Sequence, residues 1–201
     1  MKLFERLPDG VTVDGKFYRC DFDFRNVLKM LDVMQREDLV PFARDYHCIK
    51  CVYPHRIPSK IVSAFYKAII DVLFEKQPET GGKRLTSFEQ DAPLIRAAFR
   101  QVYQIDLFRD RLTWFEFTEL LQGLPEGSRY AEVIGIRARP LPAPTKYNTK
   151  EREWLLKAKG QVAIHLTDKE QERKYEKDVG NVFSGLMGMI QRAKEVDSIG
   201  K

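Results

Sequence analysis

Hydrophobic and polar positions follow two periods along this chain, and the shorter comes first. In "VTVDGKFYR", Val11, Val13, Phe17 and Arg19 fall at alternating spacing on either side of Asp14-Gly15. Asp-Gly accepts the positive φ values of a two-residue hairpin turn, so the pattern predicts a small β-hairpin. One hairpin is marginal alone and must lean on helices.

The helical period follows. Phe24, Val27, Leu28, Leu31 and Met34 recur on one stripe, with Asp21 or Asp23 as the N-cap. A second helix is predicted from Pro58 to about Glu75, with Ile61, Phe65, Ala68, Ile69, Val72 and Leu73 on its apolar face. Pro58 suits a first turn, where its missing N–H costs nothing. "KQPETGGKRLT" then reads as a loop. A third stripe is Leu94, Ile95, Ala98, Phe99, Val102 and Tyr103. Pro93 belongs in its first turn, with Asp91 as the N-cap accepting backbone N–H groups. Ser87 with Gln90 offers an alternative start by a capping box. A fourth helix carries Trp114, Phe117, Leu120, Leu121 and Leu124, opened by a Thr113/Glu116 capping box and closed by Gly123 and Pro125. The link between these two aromatic-rich helices predicts an antiparallel pair.

"EGSRYAEVIGIRARPLPAPT" starts as a short helix or turn and ends in Pro140, Pro142 and Pro144. Alternating prolines favour a stiff, extended spacer, which predicts a core domain over 1–139, a linker over 140–145 and a helical extension over 146–201. In the extension, "YNTKEREWLLKAKG" forms a short helix with Asn148 and Glu151 as its capping box, and Thr167 with Glu170 opens another. Val179, Val182, Phe183, Leu186, Met187 and Ile190 then share one side, weakened by Gly180, Gly185 and Gly188. That stripe either docks back on the core or binds a partner through adaptable Phe and Met side chains.

Composition narrows the classes. The chain has 201 residues, of which 43% are hydrophobic and 31% charged, enough for a real core and too much for a disordered tail. No run of 18 apolar residues exists to cross a bilayer. "MKLFERLPDG" lacks the apolar segment of a secretory leader. The net charge of +5 is mild, and the charges read as mixed along the chain, the pattern of a solvated surface more than a nucleic-acid stripe. Three cysteines, an odd number, argue against a disulfide framework and for a reducing cytoplasm.

Candidate chemistry is sparse. His47, Cys48, Cys51 and His55 in "HCIKCVYPH" are metal-capable, and Cys48-x-x-Cys51 has ligand spacing. Four ligands within nine residues would clamp little structure, so buried thiols and surface imidazoles are the expectation, with no metal or cofactor. No G-x-S-x-G elbow, Walker loop or G-x-G-x-x-G occurs, and His165 has no evident nucleophile near it in sequence. The acidic cluster Glu89, Gln90 and Asp91 reads as helix-start chemistry. No catalytic residue is expected, and the chain is expected not to be an enzyme.

Taken together, "LPDGVTVDGKFYRCDFDFRNVLKM", "SFEQDAPLIRAAFRQVYQIDL", "LTWFEFTELLQGLPEGS" and "VIGIRAR" resemble, in order and spacing, the bacteriophage gene-product-fifteen family of long-tailed phages. The likeness rests on Phe88, Glu89, Asp91, Ala92, Ile95, Ala97, Ala98 and Phe99. It continues at Leu112, Trp114, Phe117, Leu120, Gly123, Leu124 and Pro125. Arg96 and Phe115 stand where the family often has tyrosine and tryptophan. The resemblance covers roughly Leu3 to Arg139. It implies a tail assembly chaperone in the host cytoplasm, whose partners are the tape-measure protein and the tail-tube protein, with no catalytic residues to carry over.

The expected architecture is therefore mainly α with a small N-terminal β-hairpin, and the expected client surface is Val179, Val182, Phe183, Leu186, Met187 and Ile190. Neither a membrane nor nucleic acid is expected as a partner, and self-association is left open. The alternatives are a structural minor tail or connector protein, and a zinc-stabilised basic nucleic-acid-binding module.

Overall fold

The computed structural model describes residues 5–74 and 85–165. The stripe Val179–Ile190 and the Thr167/Glu170 helix start therefore lie outside the described residues. The architecture is mainly α with one two-stranded antiparallel hairpin. Strands β1 (Gly10–Val13) and β2 (Lys16–Arg19) are followed by helices α1 (Phe24–Met34), α2 (Pro41–Val52), α3 (Val62–Leu73), α4 (Ala92–Tyr103), α5 (Trp114–Gln122), α6 (Arg129–Ala138) and α7 (Thr149–Gln161).

The hairpin turns at Asp14 and Gly15, with φ of 49° and 75°. A two-residue turn pairs Val13 with Lys16 and Val11 with Tyr18. Directly opposed residues share a face, so Tyr18 joins the buried Val11 and Val13, while Phe17 and Arg19 point outward. This corrects the expectation for Phe17 and Arg19: alternation continued across the turn changes face. Tyr18 packs against Tyr53 and Phe65, with ring centroids 5.8 and 4.9 Å away, which fastens the hairpin to α3. Gly10 allows this pairing, because a Cβ there would lie 2.2 Å from the Tyr18 carbonyl oxygen.

Asp23 caps α1 by accepting from the Arg25 N–H at 3.0 Å. Phe24, Val27 and Met30 are buried, and Leu28, Leu31 and Met34 pack at the edge of the core. A short 3-10 turn, Ser59–Ile61, precedes α3, and Pro58 sits just ahead of it. Helix α2 packs between α1 and α3. It was not foreseen, because its apolar signal is thin: only Cys48, Ile49 and Val52 are buried. Pro41 starts it at a position that needs no N–H.

Helices α4 and α5 meet through Phe99 and Phe117, stacked at 5.3 Å, and through the Tyr103 hydroxyl, which donates to Leu120 O at 2.9 Å. These contacts advance in the same direction along both helices. The antiparallel expectation fails because the connection, residues 104–113, is long enough to carry the chain back. That connection is built. Phe24 N–H donates to Leu112 O and Trp114 N–H to Phe22 O, and Arg25 donates to Leu107 O and Asp110 O. Thr113 and Glu116 form the expected reciprocal capping box at α5. Phe24 stacks on Phe117 at 4.6 Å, and Phe88 and Trp114 close the aromatic centre of the core.

Candidate interaction surface

Polar chemistry is concentrated where α4 begins. Asp91 occupies the N-cap position of α4, but its carboxylate accepts no N–H from the first turn of that helix. Its backbone is itself near-helical, at φ −88° and ψ −2°, so the side chain turns back. There it accepts Ser87 N–H at 2.9 Å and two guanidinium N–H groups of Arg137, at 2.7 and 2.8 Å. Asp91 is buried at 1% exposure. The capping expectation is thus replaced by a bidentate buried ion pair. Ser87 supplies half of the alternative box, its hydroxyl accepting Gln90 N–H at 3.3 Å. The Gln90 side chain instead pairs with the His165 backbone in both directions, at 2.6 and 2.8 Å. Glu89 is exposed.

Arg137 also donates to Leu85 O and Val162 O, and Lys159 donates to Arg137 O. Three segments thus converge on one guanidinium. Helix α7 is thereby held against α6, with Leu155 buried at 2%. Val133 and Leu155 are buried apart from the main core cluster. Asn148 precedes α7 but makes no cap bond to it. Its side chain accepts Thr145 N–H and donates to Ala143 O, both at 2.8 Å, while Arg152 donates to Pro142 O. The Asn148/Glu151 box is therefore corrected: Asn148 folds the proline segment back over α7.

His47, Cys48 and Cys51 lie on α2, and His55 follows it. Cys48 faces the core, fully buried, with its thiol 3.8 Å from Met30 O. Cys51 donates to His47 O, whereas His47 and His55 are exposed. Among the described residues no group of three or more His, Cys, Asp and Glu side chains is placed to hold a metal ion. Burial pushes the thiols of Cys20 and Cys48 up to about 11, and that of Cys51 upward as well. This is opposite to the lowered value of a reactive thiolate.

A cavity of about 490 Å³ opens beside Cys20, Asp21, Asp23, His55 and Arg111. Its charges are engaged with one another: Arg111 contacts Asp21 at 2.8 Å and Asp23 at 3.8 Å. A smaller cavity of about 180 Å³ lies between α1 and α4, lined by Phe24, Ile95, Leu107 and Phe117. Phe108 stands over its rim, 75% exposed, beneath the Arg96 guanidinium at 5.2 Å. No helix among the described residues is long and apolar enough to cross a membrane.

Large apolar side chains stand out on the described surface. Tyr147 is 98% exposed, Val40 67%, Trp154 56% and Phe17 55%. Val102, expected on the buried face of α4, is at the surface too. The exposed side chains of the proline segment and α7 come with charge. Residues 137–161 hold seven basic and two acidic residues, a surplus of five that equals the net charge of the chain. The other 27 basic residues are matched by 27 acidic ones. The reading of evenly mixed charge missed this, and a running sum of charge along the sequence finds it.

The family whose sequence model matches is described as Bacteriophage Gp15 protein, and the match covers residues 3–164. The chain belongs to this family. The match runs through the proline segment and α7, beyond the stretch that carried the resemblance. No curated protein and no solved structure matches the chain.

Proposed function

We propose that this phage protein is a tail assembly chaperone of the host cytoplasm. It acts without turnover by holding the tape-measure protein and tail-tube subunits until the tube polymerises. One observation carries the reading: a well-packed helical scaffold keeps large apolar side chains, Phe108, Tyr147 and Trp154 among them, at its surface. Exposed side chains of this size supply contacts through which one protein can cover another's apolar face. A tape-measure protein is long, helical and apolar on its unassembled faces, and needs such a cover. Shallow contacts suit a client that must later be surrendered, since tight pockets would hold it back.

Co-expression tests this. With the chain present, the tape-measure protein is expected to stay in the soluble fraction and to co-elute with it on gel filtration. Equal precipitation with and without the chain overturns the reading. Mass spectrometry of purified virions gives the second arm: a chaperone is absent from the particle, whereas stoichiometric presence assigns a structural minor tail or connector role instead.

A further inference from the structure

Helix α7 buries Leu155 on the side packed against α6 and turns its opposite side outward. Lys150, Trp154, Lys157 and Gln161 stand at i, i+4, i+7 and i+11, so they form one stripe on that outer side. Tyr147, just before the helix, is exposed, and so is Leu156, which lies to the other side of Leu155 from Trp154. Of the seven basic residues over 137–161, Arg137, Arg152 and Lys159 are occupied by internal contacts. Arg139, Lys146, Lys150 and Lys157 are exposed around the aromatic side chains. The result is an exposed Trp154 between Lys150 and Lys157, with Glu151 and Glu153 at the edges of the stripe, on a helix anchored from behind by Arg137 and Leu155.

We propose that α7 with the proline segment is the client-docking face, and that it takes a helical protein segment whose acidic residues flank an apolar stripe. This rests on the chaperone reading above. Charge selects the partner: four exposed cations, Arg139, Lys146, Lys150 and Lys157, stand here against two exposed glutamates, Glu151 and Glu153, and the complementary ligand is acidic. Trp154 and Tyr147 are the anchors, because rigid amphipathic rings bury much area for little lost side-chain freedom. One feature favours protein over nucleic acid: the exposed Leu141 and Leu156 are aliphatic and give a base no ring to stack on, whereas they suit an apolar protein stripe. The helix is about 20 Å long, so the contact is small and reversible.

The test measures the affinity of the full chain for purified overlapping fragments of the tape-measure protein from the same phage. It compares the unaltered chain with Lys150→Glu/Lys157→Glu and Trp154→Ala/Leu156→Ala. All four side chains are exposed, so both variants should keep the circular dichroism and melting of the parent. The expected result is binding weakened roughly ten-fold or more in each variant. Affinity unchanged in both overturns the proposal while leaving the chaperone reading intact. Loss instead in Phe183→Ala/Met187→Ala, with the α7 variants unaffected, also overturns it and returns the client to the C-terminal stripe. No binding by the unaltered chain removes the chaperone reading and this proposal together. Shielding of Trp154 by a single-stranded oligonucleotide, with no response to any protein fragment, overturns it in favour of nucleic acid.

Discussion

The Arg137 guanidinium reaches Asp91, Leu85 O and Val162 O, so its loss leaves a buried carboxylate facing unpaired backbone. Breaking one side of such a pair costs about 3–5 kcal/mol, because the remaining charge stays desolvated. Arg137→Met is expected to lower the urea midpoint accordingly, and the double variant Asp91→Asn/Arg137→Met to recover a good part of the loss. A double variant no more stable than the single would show that the pair is not the coupling element. The thiols make a second prediction at this scale. Unfolded, they ionise near pH 8.5; folded, Cys20 and Cys48 keep their protons to about 11 because burial opposes the thiolate. In that window the folded state binds more protons, so their contribution to stability is intact below about pH 8.5 and declines as pH rises. Urea melts across this range should show the decline, and Cys48→Ala should make it shallower. In native buffer at pH 8, a thiol reagent should modify half-buried Cys51 well before the other two.

At the scale of elements, the strongly periodic helices α1, α3, α4 and α5 were legible because each commits a full apolar stripe to one core. Thr113 with Glu116 was legible because a capping box is written in four consecutive residues. Helix α2 is not legible, since its burial is confined to Cys48, Ile49 and Val52 and makes no full apolar stripe. The partner of Asp91 was not legible either: Arg137 lies 46 residues away, and no local pattern encodes a contact of that range. Helix α7 buries a single side chain, Leu155, along its length. Leu155→Ala removes a fully buried leucine, a change worth about 2–5 kcal/mol. Because Leu155 lies outside the main core cluster, the loss is expected as local undocking. Trypsin should then cut faster after Lys146, Arg139 being shielded by the following Pro140, while the melting of the core around Trp114 moves little. An unchanged cleavage rate would mean that Arg137, Lys159 and Gln90 hold the extension without Leu155.

Across the whole molecule, charge and apolar exposure coincide. The surplus of five lies within residues 137–161; Arg137, in α6, is paired with Asp91, and the exposed Arg139, Lys146, Lys150 and Lys157 accompany Tyr147 and Trp154. The client surface read from the sequence, Val179 to Ile190, rests on apolar periodicity alone. The α7 face escapes that search because Trp154 and Leu156 stand among lysines and make no continuous stripe. Exposure in the folded state brings them out, and charge gives them a kinetic signature. A cation-rich face steers an acidic client over a distance set by the Debye length, which shrinks from about 10 Å at 0.1 M salt to about 3 Å at 1 M. Association should therefore slow roughly ten-fold between low and high salt, while dissociation, governed by the apolar centre, changes much less. Lys150→Glu/Lys157→Glu takes the net charge from +5 to +1, two units at each position, and should slow association at low salt and flatten its salt dependence. Trp154→Ala should do the reverse, speeding dissociation with the salt slope retained. Stopped-flow mixing with a tape-measure fragment separates the two rates, and a lysine variant with the parental salt slope would show that the client does not approach through α7.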